Sequence, residues 1–193
     1  MKSVVVFCGS SEGLEREYTA QAYALGRFLA KQHIRLVYGG AKIGVMGKIA
    51  QGALDVGGTV IGVIPEFLKK KEVFHDSLSR LIVTQNMHER KLKMHELSDA
   101  IIMLPGGYGT LEEFFEMLTW SQLGLHQYPI GILNTNGFYD ELLAMLRKMV
   151  GKGFVAQESY TMVMEDTDIE KLIDKMENYR PLPLPKWINK EQL

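Results

Sequence analysis

The sequence predicts an α/β fold built on a doubly wound parallel sheet with helices on both faces. Short β-branched runs alternate along the chain with longer segments of 3.6-residue periodicity. The runs are apolar throughout rather than alternating, the pattern of strands covered on both faces. Glycine clusters directly follow three of them, as tight strand-to-helix turns require.

Taken in order, VVVFC at 4–8 leads into CGSSEG at 8–13 and a helical pattern from Tyr18 to Gln32. RLVY at 35–38 ends in YGGAKIGVMG at 38–47, and TVIGVI at 59–64 and RLIVT at 80–84 follow. NMHERKLKMHELSD at 86–99 reads as a helix: Arg90 and Met94 share one face with Leu97 close by, while Lys91 and His95 share the next. AIIML at 100–104 runs into PGGYGT at 105–110, and PIGIL at 129–133 precedes a helical pattern over 137–150. TMVMED at 161–166 suits an edge strand before a last helix, Asp168 to Asn178. From Arg180 on, RPLPLPKWINKEQL is too rich in proline for either regular state. Residues 1–180 are therefore read as a single Rossmann-like domain and 181–193 as a proline-rich tail.

A chain of 193 residues, 46% hydrophobic and 23% charged, is long enough for one sizeable core. With 22 Lys and Arg against 23 Asp and Glu, the formal charge of -1 implies no general attraction to nucleic acid or an anionic membrane. Any anion must be bound locally. Cys8 is the one cysteine, which excludes an internal disulfide, and the apolar run Val4 to Cys8 is too short for a signal-peptide core. A cytoplasmic protein is expected.

In doubly wound sheets ligands bind outside the carboxyl ends of the strands. Glycine there lets backbone N–H groups converge on an anion, and a following helix N-terminus adds favourable partial charge. CGSSEG, YGGAKIGVMG and PGGYGT all fall at such ends and point to a phosphorylated ligand. None is a nucleotide signature: PGGYGT lacks the Lys-Ser/Thr of a P-loop, and no G-x-G-x-x-G follows the first strand. The second strand ends in Tyr38-Gly39-Gly40 without the acid that holds an NAD ribose, so a dehydrogenase is disfavoured. His88 and His95 stand seven apart with no H-E-x-x-H, so no metal site is expected.

Thr110-Leu111-Glu112-Glu113 allows two readings. As T-x-x-E it is a capping box, Thr110 capping the helix and Glu113 reaching back to it. The same spacing puts a carboxylate one turn from the anion loop, with Glu116 further along roughly the same face.

At these residues the sequence resembles the LOG (Lonely Guy) family of cytokinin riboside 5′-monophosphate phosphoribohydrolases, often mislabelled lysine decarboxylases. The family's P-G-G-x-G-T-x-x-E motif is present as PGGYGTLEE and its M-H-x-R-K motif as Met87-His88-Glu89-Arg90-Lys91. Similarity runs from CGSS through YGGAKIGVMG and TWSQLGLHQYPIG to about residue 155. Where some plant relatives carry P-R-E-L, this chain has Pro65-Glu66-Phe67-Leu68.

The resemblance implies hydrolysis of the N-glycosidic bond of a purine nucleoside 5′-monophosphate, of cytokinin or adenine type, to free base and ribose 5-phosphate, with no metal or organic cofactor. Arg90 and Glu113 would be catalytic. Gly106, Gly107, Gly109 and Thr110 would hold the phosphate, and Ser10, Gly40, Gly44, Lys91, Tyr108, Leu111, Glu112, Glu116 and Thr119 would complete the substrate site. A homodimer is also implied, in line with the apolar surface offered by Phe114, Phe115, Met117, Leu118 and Trp120. The alternative is a non-catalytic nucleotide or phospholigand carrier, which needs the glycine loops but not the Arg90 and Glu113 pair.

Overall fold

A computed structural model describes residues 1–69 and 74–183. Seven strands, β1 (Ser3–Phe7), β2 (Arg35–Tyr38), β3 (Val60–Pro65), β4 (Arg80–Thr84), β5 (Ala100–Met103), β6 (Ile130–Leu133) and β7 (Val163–Asp166), form one sheet in the order β4-β3-β2-β1-β5-β6-β7. Every pairing is parallel. The helices are α1 (Arg16–Lys31), α2 (Gly44–Leu54), α3 (Glu66–Lys69), α4 (Met87–Glu96), α5 (Tyr108–Gln122), α6 (Asp140–Gly151), α7 (Gln157–Tyr160) and α8 (Ile169–Glu177). All seven expected strands are present, within a residue or two of their predicted bounds. Residues 184–193 of the proline-rich tail lie outside the described residues.

Side chains alternate across the central strands, so each strand feeds two cores. Val4, Val6 and Cys8 of the first strand region pack with Leu25 and Leu29 of α1, Ile49 of α2 and Leu172 of α8. Val5 and Phe7 pack on the other face with Met94 of α4, Phe114 and Met117 of α5 and Leu143 of α6. The expectation of full two-sided burial holds for β1, β3, β5 and β6. It fails at the margins: β4 and β7 are the edge strands and are largely half-exposed, because each has a neighbour on one side only. The chain starts in mid-sheet, winds out to β4 and returns to β5 beside β1. That reversal leaves the ends of β1 and β5 adjacent, with their following helices on opposite faces.

Helix α5 is tied to β6 through a buried imidazole. His126 Nε2 lies 2.9 Å from the Met117 carbonyl and Nδ1 accepts the Tyr128 N–H at 3.2 Å, which fixes a neutral tautomer with Nε2 donating. The ring also packs on His95 and Tyr128, with centroids 4.9 Å from each. Burial, aided by the neighbouring His95, pushes the His126 pKa down to about 4 against a backbone bond that favours the charged form. Between that value and the ordinary one of 6.5 the unfolded chain binds the extra proton. Stability is therefore expected to fall as pH drops from 7 to 5, by roughly 1–2 kcal/mol from this group. His126→Gln should lower the melting temperature at pH 7 and flatten its dependence on pH over that range, as thermal denaturation at pH 5, 6, 7 and 8 will show.

Candidate active site

At the carboxyl edge of the sheet the loops after β1, β2 and β5 close on one another. The Gly9 N–H donates to the Pro105 carbonyl at 3.1 Å, and the Val45 and Met46 N–H groups donate to Ser11 at 3.3 Å and Gly9 at 3.1 Å. Gly44, at φ +67°, starts α2 so close to Ser10 that a Cβ would stand 2.4 Å from the Ser10 oxygen. Gly106 is equally confined, since a Cβ there would meet Thr110 Oγ1 and the Gly9 nitrogen. These glycines are explained by packing.

Gly107 and Gly109 are not. A Cβ at either would meet nothing within 4 Å, and Gly107 as N-cap of α5 has an extended φ of -97° that any residue adopts. Both are exposed, as is Tyr108 between them, and α5 begins without a side-chain cap. The first-turn N–H groups of a helix have no intrahelical acceptor, and the helix dipole makes this end attractive to anions. Glycine at 107 and 109 keeps that end open to close approach from outside the chain. A cavity of about 240 Å³ opens beside it, walled by Gly9–Gly13, Gly106, Gly107 and the edge-to-face pair Tyr18 and Phe138.

One turn into α5 the surface becomes chemical. Thr110, Glu113, Phe114, Met117 and Ser121 form the buried stripe of this helix, and Arg90, Lys91 and Met94 are the buried residues of α4. Both helices thus turn charged residues inward, where they meet. Arg90 Nη1 lies 3.4 Å from Glu113 Oε1, and both residues are 8% exposed. The guanidinium also donates through Nε to the Val63 carbonyl at 3.0 Å and through Nη2 to the Gly39 carbonyl at 3.4 Å. A Cβ on Gly39 would stand 2.3 Å from Nη2, so glycine here lets the arginine keep this position, and a side chain would force it to shift.

Burial pushes the Glu113 carboxyl up to about 7, since Arg90 and Lys91 draw it down less than burial, Glu112 and Glu116 drive it up. The thiol of Cys8 beneath it is pushed up as well, first by burial and then by the Glu113 charge. A carboxyl poised near neutrality can take a proton from water at physiological pH, the requirement for a general base.

Lys91 is less exposed than its sequence context suggests. Its Nζ lies 2.5 Å from Glu112 Oε1 and 3.0 Å from Glu116 Oε2, the latter without hydrogen-bond alignment. Gly106, Gly107, Tyr108, Gly109, Thr110, Leu111, Glu112, Glu113 and Glu116 follow one another on α5 and its entry loop, and Ser10, Gly40 and Gly44 line the two loops alongside. Thr119 is not brought to this edge in the single chain. It is exposed further along α5, in a groove with Phe115, Leu118, Leu146 and Met149.

The capping-box reading of Thr110 and Glu113 is overturned. The helix starts at Tyr108, so Thr110 is already in its first turn, and Glu113 faces Arg90. A related arrangement sits instead at the head of α4, where the N-cap Asn86 Oδ1 accepts the Glu89 N–H at 2.9 Å and the Glu89 carboxylate accepts the N–H of Gln85, the residue before the cap, at 2.7 Å. Gly39 and the Val63 carbonyl were missed as parts of the site. A backbone acceptor leaves no trace in a sequence.

Comparison with known proteins bears on this geometry. The family profile described as "possible lysine decarboxylase" matches residues 46–176. A cytokinin riboside 5′-monophosphate phosphoribohydrolase from Rhodococcoides fascians is 49% identical over 173 residues, covering 89% of this chain and 87% of the relative. Its counterpart LOG4 from Arabidopsis thaliana is 43% identical over 178 residues, covering 92% and 83%. The chain belongs to the LOG family. Among solved structures, a molybdenum cofactor binding protein from Rippkaea orientalis aligns with a TM-score of 0.70 at 26% identity, covering 92% of this chain and 96% of that one. The Moco carrier protein of Chlamydomonas reinhardtii, at 22% identity and a TM-score of 0.67, shares the fold.

The two unconfined glycines make this LOG-family site testable without knowledge of its substrate. Gly109→Ala should leave the melting temperature unchanged or raise it, because alanine is favoured within a helix by up to about 1 kcal/mol. Gly107→Ala should leave it within a degree or two. Both should weaken binding of inorganic phosphate, measured by calorimetric titration, at least tenfold.

Proposed function

We propose that this protein hydrolyses the N-glycosidic bond of a purine nucleoside 5′-monophosphate, releasing the free base and ribose 5-phosphate. The observation that carries the reading is the buried Arg90 and Glu113 pair one helical turn from an uncapped, glycine-lined helix start. The helix start takes the phosphate, and Glu113 then stands at the ribose. Water adds to the anomeric carbon as the carbon–nitrogen bond breaks. The ionised Glu113 stabilises the oxocarbenium character of the sugar with its negative charge and accepts the proton of that water, while the base leaves with the bonding electron pair and takes up a proton from solvent. Arg90, fixed by the Val63 and Gly39 carbonyls, assists that departure with its positive charge. Phosphate binding supplies remote energy that holds the sugar in place, so its loss lowers rate as well as affinity.

The relatives' names favour a cytokinin nucleotide over AMP. Thr119 belongs to the substrate site on the resemblance alone. Its distance along α5 from the glycine loop fits a homodimer in which α5 helices meet, and a cytoplasmic setting accords with the single reduced cysteine. Phe114 and Met117, expected to contribute surface for such a dimer, are fully buried in their own chain. The half-exposed Phe115, Leu118 and Trp120 remain for it. Light scattering should give about twice the 21.8 kDa chain mass at assay concentration, and a fully active monomer would overturn the dimer.

A carrier reading draws on the likeness to the Rippkaea orientalis protein. A carrier would gain nothing from burying an arginine and a glutamate against each other, at a desolvation cost, beside its ligand. The two readings part on turnover. Isopentenyladenosine monophosphate and AMP should yield free base by chromatography, whereas adenosine, ADP and ATP should react at least a hundredfold more slowly. Glu113→Gln should lower turnover of the monophosphate by roughly two orders of magnitude or more, as loss of a general base does. Absence of free base from every monophosphate would leave the carrier.

A further inference from the structure

The helices that carry Arg90 and Glu113 are joined by a second ionic contact, one residue along from the first. Lys91 is 7% exposed at its side chain, and its ammonium lies 2.5 Å from Glu112 and 3.0 Å from Glu116. Glu112 precedes Glu113 directly, and Glu116 follows it by one turn. An ammonium has three N–H donors on one point charge. Here that charge is enclosed between two carboxylates of a neighbouring helix, which leaves it little to offer a dianionic phosphate. The phosphate has a better site in the open N–H groups at the head of α5.

We propose that Lys91 is a positioning residue, which clamps α4 to α5 through Glu112 and Glu116 and neutralises them beside Glu113, and is not a ligand of the substrate phosphate. The charged groups facing Glu113 are Arg90 and Lys91 from α4 and Glu112 and Glu116 from its own helix, with the Cys8 thiol beneath from the end of β1. Without Lys91, two carboxylates face Glu113 with Arg90 as the sole countercharge among these groups. Each like charge stabilises the protonated form of Glu113, so its titration moves up. Burial works against the lysine's own charge, but its contacts with the Glu112 and Glu116 carboxylates outweigh burial and raise its pKa, which keeps it charged.

The kinetic arm of the test rests on the phosphoribohydrolase reading; the spectroscopic arm does not. In ligand-free protein labelled at glutamate carboxyl carbons, the NMR titration of Glu113 is assigned by its loss in Glu113→Gln. Lys91→Met should move that titration up by about one pH unit, the scale of a nearby like charge. Lys91→Met/Glu112→Gln/Glu116→Gln should return it to the wild-type position or below. With the nucleotide, the acid limb of kcat should move with the titration in Lys91→Met while KM for the monophosphate changes less than about threefold, and the triple variant should restore the limb. A phosphate ligand would behave oppositely: KM rising tenfold or more, an unmoved acid limb, and no rescue by the triple variant. That result, or an unmoved Glu113 titration, overturns the proposal. If Lys91→Met does not fold, Glu116→Gln carries the test with opposite sign, and a Glu113 titration that fails to move down overturns it equally. Wild-type protein that cleaves no monophosphate would refute the hydrolase reading, and the NMR titration would still decide the role of Lys91.

Discussion

The contact between Arg90 and Glu113 places an arginine and a glutamate, each 8% exposed, inside a sheet-and-helix interior where neither is fully hydrated. Removing charges from water costs more than a single 3.4 Å contact returns unless other polar groups help. Here the help is backbone. The Val63 carbonyl lies within β3 and the Gly39 carbonyl just past the end of β2, both reachable by a guanidinium from α4. The absence of a side chain at Gly39 leaves the guanidinium its present position, and α4 must lie over β3. The carboxyl is left with one guanidinium contact and strong burial, which sets it near neutrality instead of in the usual acid range. A fully satisfied carboxylate would be a poor proton acceptor, so incomplete pairing is what leaves this carboxyl able to exchange a proton near neutral pH.

The location of the pair follows from sheet topology. A parallel sheet entered at its middle must reverse once, and at the reversal two strand ends stand side by side with helices leaving to opposite faces. Only there can loops after β1, β2 and β5 interlock through backbone bonds. The glycines of that edge divide into two kinds. Gly44 and Gly106 permit contact between loops, whereas Gly107 and Gly109 permit contact with something that is not the chain. Sequence composition treats them alike.

That division marks how far the residues can be read without coordinates. Strands such as VVVFC and AIIML were legible because burial on both faces requires unbroken apolar runs. The part of the candidate site that holds Arg90 and Glu113 was legible through its motifs but misleading in its local chemistry. T-x-x-E matches a capping box, yet the helix begins earlier because Gly107 takes the N-cap position. A helical reading of α5 carries the better signal: Thr110, Phe114, Met117 and Ser121 define one stripe, and Glu113 falls inside it. An acid in a buried stripe needs a cation from elsewhere. Arg90 and Lys91, beside Met94 on the inner face of α4, supply two. What no periodicity could give is the pairing between them, because the choice of Arg90 for Glu113 and Lys91 for Glu112 and Glu116 depends on how α4 and α5 are set against each other in the folded chain.

The family description "possible lysine decarboxylase" can be set against the same geometry. A pyridoxal group would be held as an imine on a lysine, and a lysine forms one as the neutral amine, which is favoured where burial or a neighbouring cation lowers its pKa. Among the described residues Lys91 is the buried lysine, and its surroundings act in the opposite sense. Two carboxylates hold it charged and raise its pKa, and both would be left unpaired if it were consumed in an imine. The surroundings of this lysine therefore disfavour the neutral amine that nucleophilic chemistry needs, whereas burial sets the neighbouring carboxyl of Glu113 near neutrality.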